Sequence, residues 1–202
     1  MKYDFDKQVN RRGTGSLKWD VPENELPMWV ADMDFETVPQ VKEALAARVA
    51  QGIYGYSILP DEWSKSYVDW WKKRHGLDLD PEKLIFVTGI VPAISSAVRK
   101  LTTPAENVLV QTPTYNIFFN SIYNNGRNIV ENKLLYDGER YRVDWGKLEE
   151  QLSDPQTTLM ILCNPHNPIG KIWDKETLAR VGELCSKYDV TVLSDEIHCD
   201  LT

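Results

Sequence analysis

An apolar run, Val190 to Leu193, leads into Ser194, Asp195 and Glu196 and then His198. A carboxylate at the tip of a buried strand is partly desolvated and needs a positive partner, for which a protonated ring nitrogen would serve. Helix capping or a salt bridge is the ordinary alternative. Three other segments also end apolar runs. "TGIVPA" puts Gly89 on a strand-to-helix turn, so the N–H groups of Ile90 and Val91 open a helix where an anion such as phosphate is favoured; an ordinary helix start reads the same way. "TPTYN" offers Tyr115, either a ring for stacking on a planar ligand or a core tyrosine. "NPHNPIG" is a rigid turn that can hold the Asn167 amide as a fixed donor. His166 within it reads as solvent-exposed. There is no GxGxxG and no Walker lysine, so dinucleotide and ATP sites lack support.

These segments need a scaffold that brings them to one edge. Residues 1–36 read as an irregular arm. A helix is expected from Pro39, capped by Thr37 and stopped by Gly52, with Val41, Ala44, Leu45 and Val49 on one face. A second should run from Asp61 to His75 with Gly76 as its stop. Beyond "DLDPEK" strand and helix alternate. The strands are "LIFVTG", "NVLVQTPTY", "RNIVENKL", "TTLMILCNP" and "VTVLSDE". The helices are "VPAISSAVRKL", "NIFFNSIYNNG", "WGKLEEQLS" capped by Asp144, and "DKETLARVGELCSKY". Alternation of this kind predicts an α/β domain with a mainly parallel sheet, and ligands of such folds sit beyond the carboxyl ends of the strands. The boundary is expected between residues 50 and 80.

The totals narrow the function classes. A net charge of -7 argues against nucleic-acid or anionic-membrane partners. No apolar run approaches the length of a membrane span. Three cysteines, Cys163, Cys185 and Cys199, are an odd count at irregular spacing, which points to reduced thiols and a cytoplasmic location. With His75, His166 and His198 they form no metal-ligand spacing, so no metal is expected.

Taken in order, "GIVPA", "PTY", "NPHNPIG" and "SDEIH" resemble the fold-type-I pyridoxal-phosphate enzymes of the class I/II aminotransferase superfamily. "ADMDF", "YGYS" and "SDEIHCDL" are similar to its cystathionine β-lyase branch, the MalY/PatB-like C–S lyases. The resemblance covers essentially the whole chain. It implies a three-layer α/β large domain with a mainly parallel sheet, preceded by an N-terminal arm and lacking the C-terminal small domain. Residues 1–50 would be the arm and first helix, and 51–202 a truncated cofactor-binding domain.

The resemblance also implies roles. Gly89, Ile90 and Val91 match the segment that holds the phosphate of pyridoxal 5'-phosphate. Tyr115 matches the ring stacked on the pyridine, and Asn167 and His198 the donors to its phenolic oxygen. Asp195 matches the partner of the pyridinium nitrogen, and Tyr56 the tyrosine lent by the other protomer of a homodimer. Ala31 and Asp32 match the backbone near the substrate carboxylate. The resemblance places the Schiff-base lysine beyond the Asp-x-x-His strand, in an S-x-x-K-like motif that has no match here; Lys171, the nearest by motif, lies on the wrong side of its turn. The parent protein would thus cleave cysteine conjugates, an amino-acid substrate, and the 202-residue chain would be an inactive fragment. The alternatives are an aminotransferase and a non-catalytic binding or regulatory fragment.

Overall fold

Apolar residues alternate to both faces along the strands of the second half, and this dictates three layers. A computed structural model describes residues 3–202. They form two compact units, one running up to Leu77 and one from Asp78 to Thr202.

In the second unit, β1 (Asn107–Thr112), β2 (Asn128–Lys133), β5 (Thr157–Cys163) and β6 (Thr191–Asp195) make a sheet of order β2-β1-β5-β6. Every pairing in it is parallel. Val108 and Val110 of β1, with Leu159, Ile161 and Cys163 of β5, point to one side. There they pack with Ile94 and Val98 of α3 (Ile90–Leu101) and Phe118 and Ile122 of α4 (Asn116–Tyr123). The intervening Leu109, Met160 and Leu162 point to the other side. They meet Leu148 and Leu152 of α5 (Trp145–Leu152) and Val181 and Cys185 of α6 (Lys175–Lys187). The two-residue period of a strand thus divides one apolar run between two cores. Each such fully buried side chain contributes about 1.5–3 kcal/mol.

Asp144 caps α5 as expected, accepting from Lys147 N at 3.0 Å. Arg127, buried, donates to Thr102 Oγ1 at 2.8 Å and to the Arg99 carbonyl at 3.2 Å, closing the C-terminal end of α3. A short antiparallel pair, β3 (Leu135–Tyr136) and β4 (Tyr141–Arg142), lies outside the expected elements.

The first expected strand is not formed. Leu84 to Val87 are not in a strand, and Ile85, Phe86 and Val87 are exposed. Apolar, β-prone residues make a strand only where another strand offers its N–H and C=O groups.

In the first unit, α1 (Pro39–Ala50) and α2 (Asp61–His75) bury none of their residues. Val41, Leu45 and Val49 share a face but are exposed. Thr37 does not cap α1. Val38 holds that position without a side-chain hydrogen bond, and Pro39 makes the start by fixing its own φ. Gly76 ends α2 in the left-handed region at φ 67°. Trp63, Tyr67, Trp71 and His75 form an aromatic row along α2 at i, i+4 spacing, with ring centroids 4.7–6.1 Å apart. The arm is pinned by Asp34, which accepts from Arg11 and Lys18 at 2.8 Å and from Trp19 Nε1 at 2.7 Å.

Candidate active site

Parallel strands end together, so the segments after β1, β5 and β6 share one edge of the sheet. The helix α3 ends where β1 is about to begin. Its twelve residues run back about 18 Å, which brings its N-terminus to that same edge. There Gly89 is the N-cap with no side-chain cap. No described residue accepts from the N–H groups of Ile90 or Val91. These donors, with the helix dipole behind them, suit an anion.

Asp195 closes β6 in register with Cys163. Cys163 belongs to the core on the α3 and α4 side, and residues in register on parallel strands share a face. The Asp195 carboxylate therefore lies on that side too. It is buried, 8% exposed, and accepts only from Ile197 N at 3.2 Å. Among the described residues it forms no ion pair. Burial pushes its carboxyl above the usual range, against smaller opposing contributions from the Ile197 N–H and His198. Such a group is poised to receive a cationic N–H donor. His198, half-buried, follows on the next turn and starts a short 3-10 helix, Cys199–Leu201.

Tyr115 ends the β1 loop as the N-cap of α4, and its half-buried ring stands edge-on to Phe118 at 5.8 Å. The β5 turn is tied down at several points. Asn164 N donates to the Asp195 carbonyl at 2.9 Å, and Asn164 Oδ1 accepts from Trp173 N at 3.1 Å. Asn167 N donates to Cys163 Sγ at 3.4 Å. The Asn167 side-chain amide is half-buried and has no partner among the described residues. Burial pushes the Cys163 thiol up, so it stays a neutral acceptor. Lys171 sets its ammonium over the Trp173 ring at 5.1 Å.

His166 corrects the sequence reading, being 1% exposed rather than solvated. Its Nε2 lies 2.9 Å from the Pro113 carbonyl, and its ring meets Trp173 edge-on at 5.7 Å. Neither His166 nor Cys163 is found by reading motifs for ligand-facing groups, because both act on the turn that presents Asn167. The only available signal is a histidine inside a turn too stiff to be idle.

The remaining expected residues lie in the first unit. Asp32 is held by Arg11, and its carbonyl accepts from Lys18 Nζ at 2.8 Å. Ala31 is exposed. Tyr54 donates its hydroxyl to the Val49 carbonyl at 2.9 Å, whereas Tyr56 is fully exposed. A cleft of about 420 Å³ among Tyr3, Phe5, Phe35, Val38 and Lys42 contains none of the expected site residues. Its walls also carry Asp4, Glu36 and Glu43, of which Glu36 is already paired with Lys7 and Lys42. All three cysteines are free thiols. No helix among the described residues is long and apolar enough to cross a membrane.

The arrangement can hold an anion at α3, a planar ring beside Tyr115 and a protonated nitrogen at Asp195. Comparison with known proteins points the same way. Residues 24–202 match the family model for aminotransferase class I and II. The chain is 47% identical to cystathionine beta-lyase PatB of Bacillus subtilis, over 98% of its own length and 52% of that protein. It is 34% identical to protein MalY of Escherichia coli, over 98% of the chain and 53% of that protein. It superposes with a TM-score of 0.91 on cystalysin from Treponema denticola, a structure that contains a pyridoxal 5'-phosphate cofactor. There the identity is 36%, covering 99% of this chain and 53% of that one. The chain thus spans about half the length of the curated relatives it matches.

Proposed function

The chain belongs to the class I and II aminotransferase family, and from that premise we propose that the whole protein is a pyridoxal-phosphate-dependent C–S β-lyase. It breaks the C–S bond of cystathionine or a related cysteine conjugate. The observation that carries the cofactor assignment is Asp195, a buried carboxylate at a strand tip that forms no ion pair among the described residues. The lyase assignment rests on the 47% identity to PatB across nearly the whole chain.

The residues at the strand ends fit the cofactor. The N–H groups of Ile90 and Val91, after Gly89, take the phosphate, and Tyr115 packs against the pyridine ring. Asn167 and His198 donate to the phenolic oxygen. Asp195 accepts from the ring N–H and keeps that nitrogen protonated. Bound there, pyridoxal phosphate supplies an electron sink for the negative charge left at Cα of an amino acid. The backbone at Ala31 and Asp32 receives the substrate carboxylate, since the Asp32 side chain is itself an acceptor, held by Arg11. Tyr56 serves the phosphate of the other protomer in a homodimer. In the overall elimination the α proton leaves Cα and the C–S bond breaks. The sulfur departs with the bonding pair, and the enamine left behind hydrolyses to pyruvate and ammonia.

The test uses the protein expressed from its natural reading frame and loaded with pyridoxal phosphate. Cystathionine should yield thiol and pyruvate in equal amounts, read by a thiol reagent and a lactate dehydrogenase couple. Turnover that requires an added 2-oxo acid and releases no thiol would overturn the lyase reading in favour of transamination.

A further inference from the structure

The proposed cofactor site assigns no role to His166, although it lies inside the NPHNPIG turn and is among the most buried polar side chains of the described residues. Its backbone closes the turn it sits in. His166 N donates to the Lys171 carbonyl at 2.7 Å, and Gly170 N donates to the His166 carbonyl at 2.8 Å. The side chain leaves that turn and reaches the loop after β1, where Nε2 meets the Pro113 carbonyl at 2.9 Å. A carbonyl only accepts, so Nε2 carries the proton. Nδ1 has no partner among the described residues. Burial keeps the imidazole below its usual pKa, against the pull of the Pro113 and Gln111 carbonyls, and so favours the neutral ring.

Asn167 is the next residue on one side of this link, and Tyr115 lies two residues past Pro113 on the other. We propose that His166 is a positioning residue, whose Nε2–H···O=C bond to Pro113 sets the spacing between the Tyr115 ring and the Asn167 amide. This rests on the cofactor reading above and adds to it. A ring gripped by stacking on one loop and by a hydrogen bond from another is held well only if the two loops are locked to each other.

A glutamine can place its Nε2 close to the histidine Nε2 and still donate, whereas methionine has similar length and no donor. In the protein from its natural reading frame, His166→Met should raise the Kd for pyridoxal phosphate about tenfold and change the circular dichroism of the bound cofactor. His166→Gln should stay within about threefold of wild type and keep the wild-type band. Equal behaviour of the two variants, whether both harmless or both harmful, would overturn the proposal. Tyr115→Ala and Asn167→Ala run beside them. If these raise Kd and His166→Met does not, only the role of His166 falls. If these too leave Kd unchanged, the cofactor site itself is wrong and the proposal falls with it. Should His166→Met fail to fold, the wild-type protein decides by nitrogen-15 NMR of the imidazole. An Nε2–H tautomer supports the link, and an Nδ1–H tautomer overturns it.

Discussion

At the scale of single residues, Asp195 couples stability to chemistry. Its folded-state pKa is raised, chiefly by burial. For an acid this means the native state holds its proton more tightly than the unfolded chain. Stability is therefore lost as pH rises from the unfolded carboxyl value through the folded one. Without cofactor, Asp195→Asn should be more stable than wild type at neutral pH, and the difference should vanish below about pH 4. Urea unfolding at several pH values measures this, and a variant that is less stable at neutral pH contradicts the desolvation argument. The same substitution should lower cofactor-dependent turnover roughly 100-fold or more, because it removes the charge that keeps the ring nitrogen protonated. Lysines offer a complementary test. Lys171 is engaged on Trp173, and Lys18 donates to Asp32 and Asp34. Treating the 202-residue chain with pyridoxal phosphate and borohydride should therefore label no single lysine in preference to the others. Peptide mapping that finds one stoichiometric adduct would place the Schiff-base lysine within this chain.

At the scale of elements, what could be read from the sequence was what local chemistry decides. Asp144 starts α5 because its carboxylate satisfies a free N–H of the first turn, and Gly76 ends α2 because it enters the left-handed region without a Cβ penalty. The apolar runs of β1 and β5 were recognisable, and so was the edge at which Tyr115, Asn167 and Asp195 had to gather. What was not legible depends on distant partners. Leu84 to Val87 carry a strand composition but do not form a strand. His166 looks solvated in a proline-rich turn, yet its environment is made by Trp173 and by Pro113, 53 residues away. The pair β3 and β4 has two residues per strand, too few to show a period. The local part makes its own prediction. Asp144→Ala should cost about 1 kcal/mol through loss of the cap, read as a lower urea midpoint with unchanged slope. No loss would mean that Leu148 and Leu152, packed in the core, hold α5 without help from its first turn.

At the scale of the whole molecule, the first unit sets a problem that its own residues do not solve. Both of its helices bury nothing, and Met28, Ile53, Tyr56 and Ile58 are largely exposed. Apolar exposure on this scale marks an association surface. The proposed homodimer makes it purposeful, with Tyr56 of one protomer serving the phosphate site that Asp195 of the other helps to build. In a two-fold dimer each site then takes one group from each protomer. Tyr56→Ala and Asp195→Ala should each be nearly inactive alone. In a hybrid dimer, the protomer bearing Tyr56→Ala keeps Asp195 and receives an intact Tyr56 from its partner, so one of its two sites is whole. The other site carries both defects. Random reassociation of equal amounts makes half the dimers hybrid, so activity should return to about a quarter of wild type. Mixing that restores nothing, under conditions where differently tagged wild-type protomers exchange, would place Tyr56 and Asp195 in the same protomer's site or remove Tyr56 from it altogether.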